Sequence, residues 1–301
     1  MESQSLLLLC DEAVMPCTPR DCHIDYNLEV SAQVDRVLVQ DDRVIKNMLA
    51  DEKMVEKIDY CASLQTEIKP HMRKIVVDWM VEVCQDQECQ PQVFHLALNY
   101  LDRFLSQKRI KKTQFQLLAT VCLFLASKMS ECAPITAEKL LIYTDNSVSF
   151  EELIQWEMLV LATLLWELSA ITPLSFLQHF QNANCVRKLS QDHETVQRHA
   201  DYLLSIMASE YQYLLVAPSL LAAAALSAAV RVQCRGSSNE RRSLEQLTKS
   251  LSELTGRSGK EIELVAGSVQ DLLDCYQELL NFKSKMQENG SMVNCEEYCI
   301  V

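Results

Sequence analysis

The first glycine of this chain is Gly236, and only five glycines occur among its 301 residues. Phosphate-cradling loops and dinucleotide fingerprints need glycine wherever backbone must approach a phosphate closely. No such loop can therefore lie before Gly236. Gly256 and Gly259 are spaced as a turn rather than as a cradle. Scarce glycine also argues against many tight strand turns, so the chain is expected to be helical.

Hydrophobic residues make up 49% and charged residues 23%, enough apolar material for one large or two medium cores. The net charge of -13 suits neither a nucleic-acid backbone nor a basic DNA-reading face. The dense basic run Lys108, Arg109, Lys111, Lys112 reads as a solvated loop between helices. The 13 cysteines form no CxxC pair, and most sit in apolar runs as small core side chains, the usage of a reducing compartment. No metal site, cofactor or membrane span is expected. The run Leu214 to Val230, interrupted by Pro218, reads as a buried helix, and Leu6 to Leu9 is too short for a signal core. The six histidines lie at 23, 71, 95, 179, 193 and 199. They form no nucleophile–base arrangement, so no catalytic residue is assigned.

Apolar periodicity divides the chain. Residues 1–35 read as a flexible arm, and Val44, Ile45, Met48 and Leu49 suggest a lead helix. Helices opening at Pro70 and Pro91 follow, and a third runs from about Lys112 to Met129 with almost no polar face. A helix apolar all round must be buried on all sides. Thr136 caps a short helix, and Ser149 with Glu152 makes a capping box for one ending near Leu165. The count restarts at Thr172-Pro173, with helices expected at about 173–181, 190–213, 218–234, 241–254 and 259–285. Leu220 to Val230 is again apolar all round. The chain is thus expected to be all-α, with two tandem five-helix units at 36–168 (including the lead helix) and 169–285, then a short polar tail, 286–301.

Three stretches carry a family resemblance: Met72-Arg73-Lys74-Ile75-Val76-Val77-Asp78-Trp79-Met80, Asn99-Tyr100-Leu101-Asp102-Arg103-Phe104-Leu105, and Phe124-Leu125-Ala126-Ser127-Lys128-Met129. They resemble the cyclins, and Leu140-Leu141-Ile142-Tyr143-Thr144-Asp145-Asn146-Ser147 resembles the D-type cyclins in particular. The resemblance implies two tandem cyclin boxes. It also implies a non-catalytic subunit, in nucleus and cytoplasm, that activates cyclin-dependent kinase 4 or 6 at the G1/S transition.

Residue by residue, the resemblance makes Lys128 and Glu157 the central kinase-binding pair and Trp166 a further kinase contact. The residues alone also allow an internal Lys128–Glu157 salt bridge, and the two roles are compatible. Arg73 and Asp102 match a buried structural pair. Met72, Ile75, Val76, Trp79 and Glu82 share one helical stripe. By spacing alone such a stripe is core, whereas the resemblance makes it an exposed groove for Arg-x-Leu-type segments of substrates and inhibitor proteins. Gln116 would then be its polar edge, and Lys74, Leu117 and Leu118 would help shape the groove or interface. Leu8, Cys10 and Glu12 match the Leu-x-Cys-x-Glu motif that binds retinoblastoma-family pocket proteins. The tail departs from the family, since Met286 to Val301 contains neither threonine nor proline. A cyclin-box transcription factor and a viral-type cyclin mimic share the same boxes.

Overall fold

Four prolines set the starts of four helices. In the computed structural model, which describes residues 41–54, 57–182, 193–235 and 240–288, Pro70, Pro91, Pro173 and Pro218 each open a helix. That position needs no N–H donor and suits the fixed φ of proline. The helices are α1 (Asp42–Met54), α2 (Tyr60–Ser63), α3 (Pro70–Asp86), α4 (Pro91–Leu105), α5 (Phe115–Ser130), α6 (Ala137–Tyr143) and α7 (Phe150–Thr163). They continue as α8 (Pro173–Asn182), α9 (His193–Ser209), α10 (Pro218–Cys234), α11 (Glu240–Thr255) and α12 (Gly259–Glu288). No strand occurs among the described residues.

The expected caps form. Thr136 accepts from the Lys139 N–H, and Ser149 and Glu152 bond each other's backbone reciprocally. Gly256 closes α11 in the left-handed conformation (φ 66°), where a Cβ would be strained. α2 was not expected from the pattern. Its cap is Asp59, whose carboxylate accepts from the Ala62 N–H.

Two cores result. In the first, α5 is surrounded, and Phe115, Leu117 to Leu123 and Leu125 to Ser127 are all buried. In the second, α10 takes that place, with Leu221 to Val230 buried without interruption. Its alanines let neighbouring helices approach closely and have no rotamer freedom to lose on burial.

Three details differ from the sequence expectation. The third long helix begins as a 3-10 turn, Lys112–Gln114, and becomes α-helical at Phe115. α9 ends at Ser209 rather than 213, and a 3-10 turn, Tyr211–Tyr213, follows. The reason is tertiary: Arg73 takes the carbonyls of Ala208 (3.0 Å) and Ser209 (3.3 Å) as hydrogen-bond acceptors. The lead helix α1 precedes the first box in sequence, yet Met48, Val44 and Leu49 pack on the second core. Glu52 fixes it there. Its carboxylate accepts from the Ser219 N–H (2.6 Å) and Ser219 Oγ (2.8 Å), a negative charge at the N-terminus of α10.

Candidate functional site

Lys128 lies in the last turn of α5 and Glu157 in α7, and the packing of these two helices brings them together as an ion pair. The Lys128 Nζ also sits 3.9 Å from the centre of the Phe124 ring, a cation–π contact. The pair is at the surface: the lysine side chain is 39% exposed and the glutamate 13%. Ile154, Glu157 and Met158 stand at i, i+3 and i+4, one face of α7. Ile154, Met158 and Met129 are all exposed. Charges bordered by uncovered apolar side chains are the composition of a protein-binding surface rather than of a solvated face.

The chain after α7 continues this surface in a strained form. The Leu165 N–H bonds to the Ala162 carbonyl (3.3 Å) and the Trp166 N–H to the Leu161 carbonyl (2.9 Å), a Schellman closure. Glycine is the usual residue there, yet Leu165 and Trp166 both adopt left-handed backbone (φ 55° and 60°). Each costs about 1 kcal/mol or more for a residue with a Cβ. Their side chains gain no burial in return, being 75% and 64% exposed. The turn therefore presents two apolar side chains to solvent at a cost in backbone strain. The sequence reading named Trp166 and did not name Leu165, Ile154, Met158 or Met129 as part of this surface. The available signal for Ile154 and Met158 was their interleaving with Glu157 at helical spacing.

The second surface lies between α3 and α5. Near their starts, the Lys112 N–H donates to Glu67 Oε2 (3.0 Å). Near their ends, the Gln90 N–H donates to Glu131 Oε1 (2.7 Å). The two helices therefore run parallel, side by side. The core face of α3 is Arg73, Val77, Met80, Val83 and Cys84. The stripe Met72, Ile75, Val76, Trp79, Glu82 occupies a different face. Met72, Val76 and Trp79 are half-buried, while Ile75 and Glu82 are exposed, as is Gln116 on α5. Met72, Val76 and Trp79 also pack against the first core, so the stripe is a rim of that core from which Ile75 and Glu82 face outward. Lys74 points elsewhere: it pairs with Glu210 (2.5 Å) and Asp78 (3.8 Å), joining the first box to the segment after α9. Leu117 and Leu118 are buried in the first core and contribute support rather than surface.

Arg73 is almost fully buried. Its Nε and Nη2 donate to the two carboxylate oxygens of Asp102 (3.1 and 2.8 Å), and the Tyr60 hydroxyl donates to the same carboxylate (2.7 Å). Burial works against the guanidinium charge, but the adjacent Asp102 carboxylate outweighs it and holds the proton firmly. This constellation is structural. His95 is buried, and desolvation pushes its imidazole down to about 4, so it stays neutral. Among the described residues, no group of three His, Cys, Asp or Glu could hold a metal ion. Likewise none of their helices is long and apolar enough to cross a membrane. Leu8, Cys10 and Glu12, and the tail from 289, lie outside the described residues.

Residues 43–169 match the family described as cyclin, N-terminal domain, and residues 171–298 match cyclin, C-terminal domain. G1/S-specific cyclin-D1 of Canis lupus familiaris is 44% identical over 214 residues, covering 71% of this chain and 72% of the relative. G1/S-specific cyclin-D2 of Mus musculus is 37% identical over 261 residues, covering 85% and 88%. The chain belongs to the D-type cyclins. Its role is accordingly that of a cyclin, a regulatory protein of the cell cycle and not itself a catalyst. The X-ray structure of a viral cyclin from herpesvirus saimiri superposes with a TM-score of 0.62 at 23% identity, over 75% of this D-type cyclin and 98% of that chain, a likeness of fold.

Proposed function

We propose that this D-type cyclin binds and activates a cyclin-dependent kinase of the 4/6 type. The contact surface would be built on Lys128, Glu157 and Trp166. The observation that carries this reading is the surface ion pair set among exposed apolar side chains and followed by the strained Leu165-Trp166 turn. A kinase helix laid on this surface would cover the apolar rim, while the charged pair fixes its orientation through charge-assisted hydrogen bonds. The groove of Met72, Ile75, Val76, Trp79, Glu82 and Gln116 would dock substrates and inhibitor proteins, with Glu82 receiving a basic side chain. Leu8, Cys10 and Glu12 would recruit retinoblastoma-family pocket proteins, so that the kinase acts on them at the G1/S transition in nucleus and cytoplasm.

The deciding experiment is a pull-down of the full chain from cell extract, followed by a kinase assay on a retinoblastoma fragment. Recovery of a cyclin-dependent kinase that phosphorylates the fragment, lost with Lys128→Ala and with Glu157→Ala, is expected. Undiminished recovery and activity with both variants would refute the assignment. Cys10→Gly, in a direct binding assay, should lose the pocket protein and keep the kinase.

A further inference from the structure

In a chain of net charge -13, the loop between α4 and α5 exposes Lys108, Arg109, Lys111 and Lys112 together. The loop is clamped along its length. The buried Gln65 amide donates to the carbonyls of Leu105 and Lys108 (both 2.7 Å), and its oxygen accepts from the Ile110 N–H (3.2 Å). The Ile110 side chain is buried, and the Lys111 N–H donates to Gln114 Oε1 (3.0 Å). The cations therefore stand on fixed backbone, which lowers the ordering cost of using them. Lys69, also exposed, immediately precedes α3. None of these five cations makes an ion pair among the described residues.

This platform lies at one end of the groove. Because α3 and α5 run parallel from starts joined by the Lys112–Glu67 bond, Met72 and Gln116 mark the near end. Glu82 marks the far end, ten helical residues or about 15 Å away. The positive ends of both helix dipoles also face the platform. The groove is thus electrically polar: the Glu82 carboxylate at one end, apolar side chains along it, and at the other, five cations against one carboxylate, Glu67.

We propose that the groove continues onto the Lys108–Lys112 platform and selects peptides of matching polarity. Their basic residue would lie at Glu82, their apolar residues along Met72, Val76 and Trp79, and their acidic residues on the platform. This rests on the docking reading of the groove and adds the charge pattern of the partner. An extended peptide covers 15 Å in about five residues, so the acidic group begins a few residues beyond the apolar anchor.

Fluorescence anisotropy with the full-length chain tests it. Three synthetic peptides share one Arg-x-Leu core, and beyond a two-residue spacer each carries an acidic, an alanine or a lysine tail. The acidic tail should tighten binding about fivefold over alanine at 0.1 M salt, with the lysine tail weaker than both, and the gain should fade at 0.5 M salt. Combined Lys108→Glu, Arg109→Glu, Lys111→Glu and Lys112→Glu should abolish the gain and leave the alanine-tailed peptide within twofold. Arg109→Glu alone should halve the gain, in case the fourfold variant folds poorly. An acidic tail without advantage, or an advantage that survives charge reversal, overturns the proposal. Acidic-peptide binding that survives Trp79→Ala separates platform from groove and overturns their continuity. If all three peptides bind equally weakly and Trp79→Ala changes nothing, the groove reading itself fails.

Discussion

Lys128 and Glu157 are already paired with each other on the surface of the isolated chain. The pair is partly exposed, so its removal should cost less than about 1 kcal/mol of stability. Exchanging the two, Lys128→Glu with Glu157→Lys, restores the internal pair but reverses the field offered to a partner. The expected outcome is a protein that melts within a few degrees of the native one and does not retain kinase. Kinase retention by the exchanged protein would show that the pair serves the fold alone.

Trp79 and Met80 are neighbours in sequence that face different surroundings. Met80 is fully buried in the first core, and Trp79 is half-buried on the groove face. Met80→Ala should cost about 2–5 kcal/mol in denaturant unfolding, the range for a buried methionine. Trp79→Ala should leave a folded protein that loses peptide docking. Global unfolding of the Trp79 variant would return the stripe to the core.

Arg73 makes four hydrogen bonds to three partners in two boxes. Arg73→Ala leaves Asp102 facing a buried gap and frees the end of α9, a loss of about 3–5 kcal/mol. Lysine lacks the planar fork and should not restore it. A chemical melt of Arg73→Lys that matches the native protein would count against this account.

Asp201 on α9 has a buried Oδ1 without a hydrogen-bond partner among the described residues, and desolvation pushes its carboxyl up to about 6. From about pH 4 to 6 the folded chain holds a proton there that the unfolded chain has released, so this group lowers stability as pH rises. His95 acts oppositely: held down to about 4, it is neutral in the fold where the unfolded imidazole is protonated, so it raises stability with pH up to about 6.5. Asp201→Asn removes the first effect and keeps the second. Its unfolding free energy should match the native value near pH 4 and exceed it at pH 7 by about 1 kcal/mol, discounted for the solvent this carboxyl retains. Parallel pH profiles for the two proteins would refute the assignment.

The starts of the helices were legible because proline, Thr136 and the Ser149–Glu152 box act locally, on backbone within a few residues. The two buried central helices were legible because no polar face survives in α5 or α10. The end of α9 was not, because the group that ends it, Arg73, lies about 135 residues earlier in the chain. Nor was the attachment of α1 to the second core, which depends on Glu52 reaching Ser219. At the candidate site, the charges were readable from resemblance and position. The half-burial of Trp79 outside the core face of α3 was not, since methionine and tryptophan at helical spacing normally face inward. The left-handed backbone at Leu165 and Trp166 had no local signal at all, neither residue being glycine or asparagine.

The buried guanidinium of Arg73 has a consequence for the architecture itself. The tandem arrangement looks modular, but the first box contains a cation whose coordination is completed by carbonyls of the second. Excising either half would replace these buried bonds by bonds to water, so each half would lose part of its stabilisation at the junction. Because the acceptors are backbone carbonyls, the junction depends on the identity of Arg73 and on the path of the chain at 208 and 209, not on the side chains there.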